Sequence, residues 1–222
     1  MPRLFRLPAL IARLIRRLAC WRRPAPAPPA PQPQLLMWYP RREVPDPGPL
    51  PTGYAIRTYQ PGDEPGWAAL LQANGELGTW DLSRVGQELA GPLLRQAQFF
   101  VVTGDELAAT TGVYDRQRPD GSAWEIGWVA VHPSHRGRGL GTQVVAAALR
   151  AALVLPCRPI YLLTDDHRLP ALKVYLGLEF RPDYGHPSYP DRWERLFVQL
   201  GDQYRQPPID RQGALSAGGE IP

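Results

Sequence analysis

The sequence predicts one α/β domain: a mixed, mostly antiparallel sheet of six to seven strands, flanked by about four helices. Three observations carry this. Short β-rich segments recur through the middle of the chain, separated by turn residues such as Gly104-Asp105 and Pro119-Asp120-Gly121. One long apolar helical segment follows a strand through a glycine-rich turn near residues 132–141. At 222 residues the chain suits a single domain with a buried core better than two.

Residues 54–59 (YAIRTY) alternate with period two and are read as a strand. Pro61-Gly62-Asp63 then opens a helix with Trp67, Leu70 and Leu71 on one face, and Ser83 is expected to cap a second helix carrying Val85, Leu89 and Leu93. Three strands follow at 99–103, 107–114 and 123–132. A helix is expected over 139–153, a strand over 160–164, a short helix over 170–176 and a last strand over 193–200. Residues 1–49 are assigned to a basic, then proline-rich N-terminal tail and 201–222 to a disordered C-terminal tail, which leaves 50–200 as the domain.

The net charge of +4 is unevenly placed. Seven arginines and no acid fall within residues 1–23, so the remainder carries 18 basic against 21 acidic residues and no nucleic-acid partner is expected. Leu10, Ile11, Leu14, Ile15 and Leu18 alternate with arginine at near-helical spacing, which predicts a basic amphipathic helix in peripheral contact with an anionic membrane. The alternative is translation from Met37. Arg13, Arg16 and Arg17 interrupt any signal-peptide core. Cys20 and Cys157 offer neither a disulfide framework nor metal-ligand spacing, and a cytoplasmic protein, monomer or homodimer, is expected. Of 25 basic residues only Lys173 is a lysine, which with the abundant Ala, Pro and Gly points to a GC-rich bacterial genome.

Residues 124–153 carry the chemistry: a strand (WEIGWVAV), a turn (HPSHRGRGLG) and a helix (TQVVAAALRAAL). Gly137, Gly139 and Gly141 strip side chains from the strand-to-helix turn, so backbone N–H groups and the helix N-terminus can approach an anion. Arg136 and Arg138 add two guanidiniums, and a pyrophosphate suits this arrangement. A Walker A loop would need Gly-Lys-Ser/Thr, and a Rossmann turn G-x-G-x-x-G; neither spacing is present.

The motif Arg136-Gly137-Arg138-Gly139-Leu140-Gly141 resembles the acetyl-CoA signature of the GNAT superfamily of N-acetyltransferases, Gln/Arg-x-x-Gly-x-Gly/Ala. Ala171-Leu172-Lys173-Val174-Tyr175-Leu176-Gly177-Leu178-Glu179-Phe180 is similar to the family's second signature. Glu179 departs from it where glycine is usual, and Arg168 stands where an asparagine often contacts pantetheine. The resemblance covers residues 53–200 and implies a GNAT fold, acetyl-CoA as co-substrate, no metal, and direct attack of a primary amine on the bound thioester.

By the same resemblance Val129, Ala130 and Val131 would polarise the acetyl carbonyl, and Arg136, Gly137, Arg138, Gly139, Leu140, Gly141 and Thr142 would hold the pyrophosphate. Tyr175 would be the acid that protonates the departing thiolate, with Glu125 as base or water in its place. Asp165, Asp166, Tyr184, His186 and Trp193 are the candidates for the acceptor side, while His132 and His135 are expected at the surface rather than as ligands. A non-catalytic acyl-CoA-binding regulatory module is the alternative function, allowed by Arg168 and Glu179.

Overall fold

The computed structural model describes residues 32–212. The expected amphipathic helix within residues 1–23, and Cys20, lie outside them. Seven strands form one sheet: Leu35–Tyr39 (β1), Ala55–Thr58 (β2), Leu93–Thr103 (β3), Glu106–Arg118 (β4), Gly121–Val131 (β5), Ile160–Thr164 (β6) and Arg181–Pro182 (β7). Their order is β2-β3-β4-β5-β6-β1-β7, and every neighbouring pair is antiparallel except β5 with β6. Five α-helices accompany them: Glu64–Asn74 (α1), Leu82–Ala90 (α2), Leu140–Val154 (α3), Leu169–Gly177 (α4) and Tyr189–Leu200 (α5). This is the expected mixed α/β sheet. Asp81, not Ser83, caps α2, its carboxylate accepting from the Arg84 N–H at 2.8 Å.

Side chains alternate across a strand, and neighbouring Phe100 and Val101 of β3 accordingly join different hydrophobic clusters on the two faces of the sheet. Trp67, Leu71, Trp80 and Tyr114 build the cluster under α1 and α2. Val144, Leu149, Leu172, Trp193 and Phe197 build the other, under α3, α4 and α5. Helix α3 buries most of its length because Leu140, Val144, Val145, Ala148, Leu149 and Ala152 recur at helical spacing. Among the described residues no helix is long and apolar enough to cross a membrane.

The tails and the last strand differ from expectation. Leu35–Tyr39 belongs to the sheet and not to a tail: β1 pairs with β6 along its whole length and with β7 at Met37 and Trp38, and all five residues are buried. Covered on both faces, such a strand reads as a continuous apolar run rather than as an alternation. A chain started at Met37 would lose Leu35 and Leu36 from it.

The segment expected as a final strand is helix α5. Tyr189, Trp193, Leu196, Phe197 and Leu200 are buried at a spacing of three and four, while Glu194, Arg195 and Gln199 face solvent. Beyond it the chain stays attached as far as residue 212: the Ile209 N–H donates to the Pro182 carbonyl at 3.0 Å, and Arg211 donates to the carbonyls of Asp120 and Ser122.

Met37 is fully buried at the centre of β1. Met37→Ala is expected to lower stability by about 2–5 kcal/mol in a denaturant titration. An unchanged midpoint would return residues 35–39 to the tail.

Candidate cofactor-binding site

The site begins with an irregularity in β5. Thr110 pairs with Ala130 and Gly112 with Gly127, so Thr111 alone faces both Trp128 and Val129. Trp128 takes the extra place with a φ of 51°, a backbone region that a tryptophan seldom occupies. The Thr111 hydroxyl donates to the Gly127 carbonyl at 2.9 Å and braces the bulge. On its other side β5 pairs with β6 only at Trp124 and Glu125, so the two strands part beyond that point.

A cavity of about 540 Å³ adjoins the unpaired end of β5. Val129, Ala130 and Val131 form one wall, and Pro170, Ala171, Val174 and Tyr175 on α4 form another. Arg136, Gly137, Gly139, Leu140, Gly141 and Thr142 close a third side. Gly137 and Gly139 have φ of 77° and 75°, and a Cβ at either would meet nothing within 4 Å. Glycine suits these positions because of the backbone conformation, not because of crowding. Gly139 is the N-cap of α3 and offers no side-chain cap, so the N–H groups of the first helical turn keep their donor capacity toward the cavity.

The structure brings nine of the ten cofactor residues named from sequence to this wall, and Arg138 is the exception. Its guanidinium donates to the Tyr54 hydroxyl and lies over that ring at 5.9 Å. A second cation comes from Arg168, which lines the cavity and donates to the Glu76 carbonyl at 3.0 Å. Tyr175 is on the cavity wall, 5 % exposed, and burial pushes its hydroxyl well above the ordinary tyrosine value.

Glu125 is not brought there. Its carboxylate accepts from Arg116 Nε at 2.6 Å and from the Tyr161 hydroxyl at 3.3 Å, and it is not among the residues lining the cavity. Besides Tyr175 and the two arginines, Arg136 and Arg168, the ionisable groups on the wall are Glu76, His135 and His167. Glu76 follows the left-handed Gly75 that ends α1, a loop position with no motif around it.

The proposed acceptor residues are also engaged. Asp166 takes a two-pronged contact from Arg192, and Asp165 lies 3.2 Å from both Arg168 and Gln34. Trp193 is fully buried in the core. His135, expected at the surface, is 8 % exposed. Glu179 has a φ of 68°, which explains why glycine is usual at that place.

A bulged fifth strand beside a glycine-turned helix N-terminus offers backbone N–H groups to an anionic ligand. Residues 67–180 match the family described as Acetyltransferase (GNAT) family, and the chain belongs to it. Among curated relatives, mycothiol acetyltransferase of Thermobispora bispora is 31% identical over 159 residues, 65% of this chain and 53% of that one. Mycothiol acetyltransferase of Actinosynnema mirum is 28% identical over 153 residues, 65% of this chain and 51% of that one. The chain thus spans about half the length of the curated relatives it matches. Among solved structures, the ribosomal-protein-S18-alanine N-acetyltransferase of Escherichia coli aligns at a TM-score of 0.47 and 16% identity, over 57% of this chain and 76% of that one.

Proposed function

We propose that this protein is an N-acetyltransferase that binds acetyl-CoA in the cavity between β5 and α4 and transfers the acetyl group to a primary amine by direct attack in a ternary complex. The observation that carries this is the uncapped, glycine-turned N-terminus of α3, which opens into the same cavity as Tyr175 and the bulged end of β5.

In this reading the first-turn N–H groups of α3 and the Arg136 guanidinium hold the pyrophosphate. Backbone N–H groups at Val129 to Val131 polarise the acetyl carbonyl as negative charge develops on its oxygen. The amine nitrogen attacks the thioester carbon, the C–S bond breaks, and Tyr175 donates its proton to the departing thiolate. A tyrosine hydroxyl is protonated at neutral pH in any case, and burial, by raising it further, makes it a weaker donor that yields its proton only to a basic thiolate. The proton lost by the attacking ammonium passes to a wall group, Glu76 or His167, or to water.

Glu125, tied to Arg116, is assigned a structural part. Glu125→Gln should leave kcat within about threefold of the parent while lowering the melting temperature, because Arg116 loses its charged partner. A loss near 10²-fold would restore it as the base.

The reading is tested by acetyl-CoA-dependent thiol release with a panel of amines, mycothiol-related acceptors included because the relatives carry that name. Release stimulated by at least one amine is expected. Saturable acetyl-CoA binding with no stimulated release by any acceptor would favour a non-catalytic acyl-CoA-binding module.

A further inference from the structure

We propose that Glu106, His132 and His135 form a binding site for one divalent transition-metal ion of the Zn²⁺ class. Glu106 opens β4 directly after the β3–β4 turn, and the two histidines bracket the short helical turn Pro133–His135. The hydrogen bond from the His132 N–H to the Ala108 carbonyl, 2.8 Å, holds the two segments side by side. One ligating atom from each of the three residues lies within 4.8 Å of the others.

The decisive feature is His135. Its Nε2 is buried and makes no hydrogen bond, although Glu106 Oε1 is only 3.0 Å away. The nitrogen and the carboxylate oxygen thus face each other at close range with no hydrogen bond between them. An ion beside them would take the nitrogen's lone pair and the carboxylate oxygen as neighbouring ligands. A buried ring nitrogen without a hydrogen bond has otherwise given up its water with no replacement.

The surroundings orient the ring. Tyr54 Oη lies 2.8 Å from His135 Nδ1, which turns Nε2 toward Glu106 and supplies the outer contact that metal-binding histidines ordinarily have. His132 Nδ1 is 4.0 Å from the same Glu106 oxygen; it lies 2.6 Å from the Ser134 hydroxyl and accepts from the Ser134 N–H at 3.3 Å, contacts within one exposed turn that an ion would replace.

Two imidazoles and one carboxylate suit Zn²⁺, Co²⁺ or Ni²⁺, whereas Ca²⁺ and Mg²⁺ prefer oxygen throughout. Bonds of about 2.0–2.2 Å place neighbouring ligand atoms roughly 3–3.5 Å apart. The Glu106 and His135 pair already meets that spacing. His132 must close by roughly an ångström, and the side chains of His132 and Glu106, 32% and 53% exposed, have room to do so. The ion would pin the β3–β4 turn to the residue before Arg136. His135 also lines the cavity between β5 and α4, so the two sites share that wall, and metal uptake is measured independently of acetyl transfer.

The test is a calorimetric titration of the full chain, stripped with chelator, with ZnCl₂, accompanied by absorption spectra with CoCl₂. One ion per chain is expected, with visible Co²⁺ bands and a melting temperature that rises with Zn²⁺ concentration. His132→Ala and Glu106→Gln, both at exposed side chains, should fold as the parent does and weaken Zn²⁺ binding by at least about tenfold. His186→Ala, at a histidine elsewhere on the surface, should bind as the parent. The proposal is overturned if the parent takes up no stoichiometric ion at about 100 μM, or if both site variants bind it unchanged.

Discussion

Gly139→Asp is expected to weaken acetyl-CoA binding by at least about 10²-fold in a calorimetric titration. Gly139 caps α3 at a φ of 75°, and the space beside its Cα is open. A clash therefore does not drive the loss. The carboxylate instead stands where the pyrophosphate is proposed to lie, and two unit charges about 4 Å apart repel by about 4 kcal/mol at an effective dielectric near 20. Aspartate tolerates the left-handed region at a cost of about 1–2 kcal/mol, so the fold should survive. Gly139→Asn shares the shape without the charge and should lose far less. Binding by Gly139→Asp within about threefold of the parent would remove the pyrophosphate from this turn.

Tyr175→Phe is expected to lower kcat by roughly 10²-fold while acetyl-CoA affinity changes little, the pattern of a group needed only as the transition state forms. The ring packs edge-on against Phe180 at 6.1 Å and buries its apolar surface, which phenylalanine retains. A thiolate is already a tolerable leaving group, so a larger loss is not expected. Because burial raises the hydroxyl, activity should show no alkaline decline from this group below about pH 10. Steady-state kinetics alongside a thermal melt decide it: a kcat within twofold of the parent returns Tyr175 to a packing role.

The helix-turn part of the site was legible because its chemistry is local. Arg136, Gly137, Gly139 and Gly141 fall within six residues, and their spacing alone places backbone donors at a helix N-terminus. What could not be read depends on distant partners. The diversion of Arg138 to Tyr54 spans 84 residues, and the pairing of Glu125 with Arg116 arises only once β4 and β5 form their hairpin.

Strand β1 was hidden for a different reason. LLMWY has no period, is followed by Pro40 and preceded by a proline-rich stretch, and its burial on both faces comes from β6 and β7, far along the chain. In α5 the run WERLFVQL admits an alternating reading. The helical one needs Tyr189 included, which restores the spacing of buried residues at 189, 193, 196, 197 and 200.

The cavity between β5 and α4 is proposed as the acetyl-CoA site. Titrating the full chain with acetyl-CoA, with free CoA as competitor, tests it most directly. One saturable site per chain is expected, displaced by CoA and weakened as salt rises because the pyrophosphate contact is one of charge. Absence of saturable binding up to about 1 mM, where the free energy of association would be weaker than about −4 kcal/mol, would contradict it.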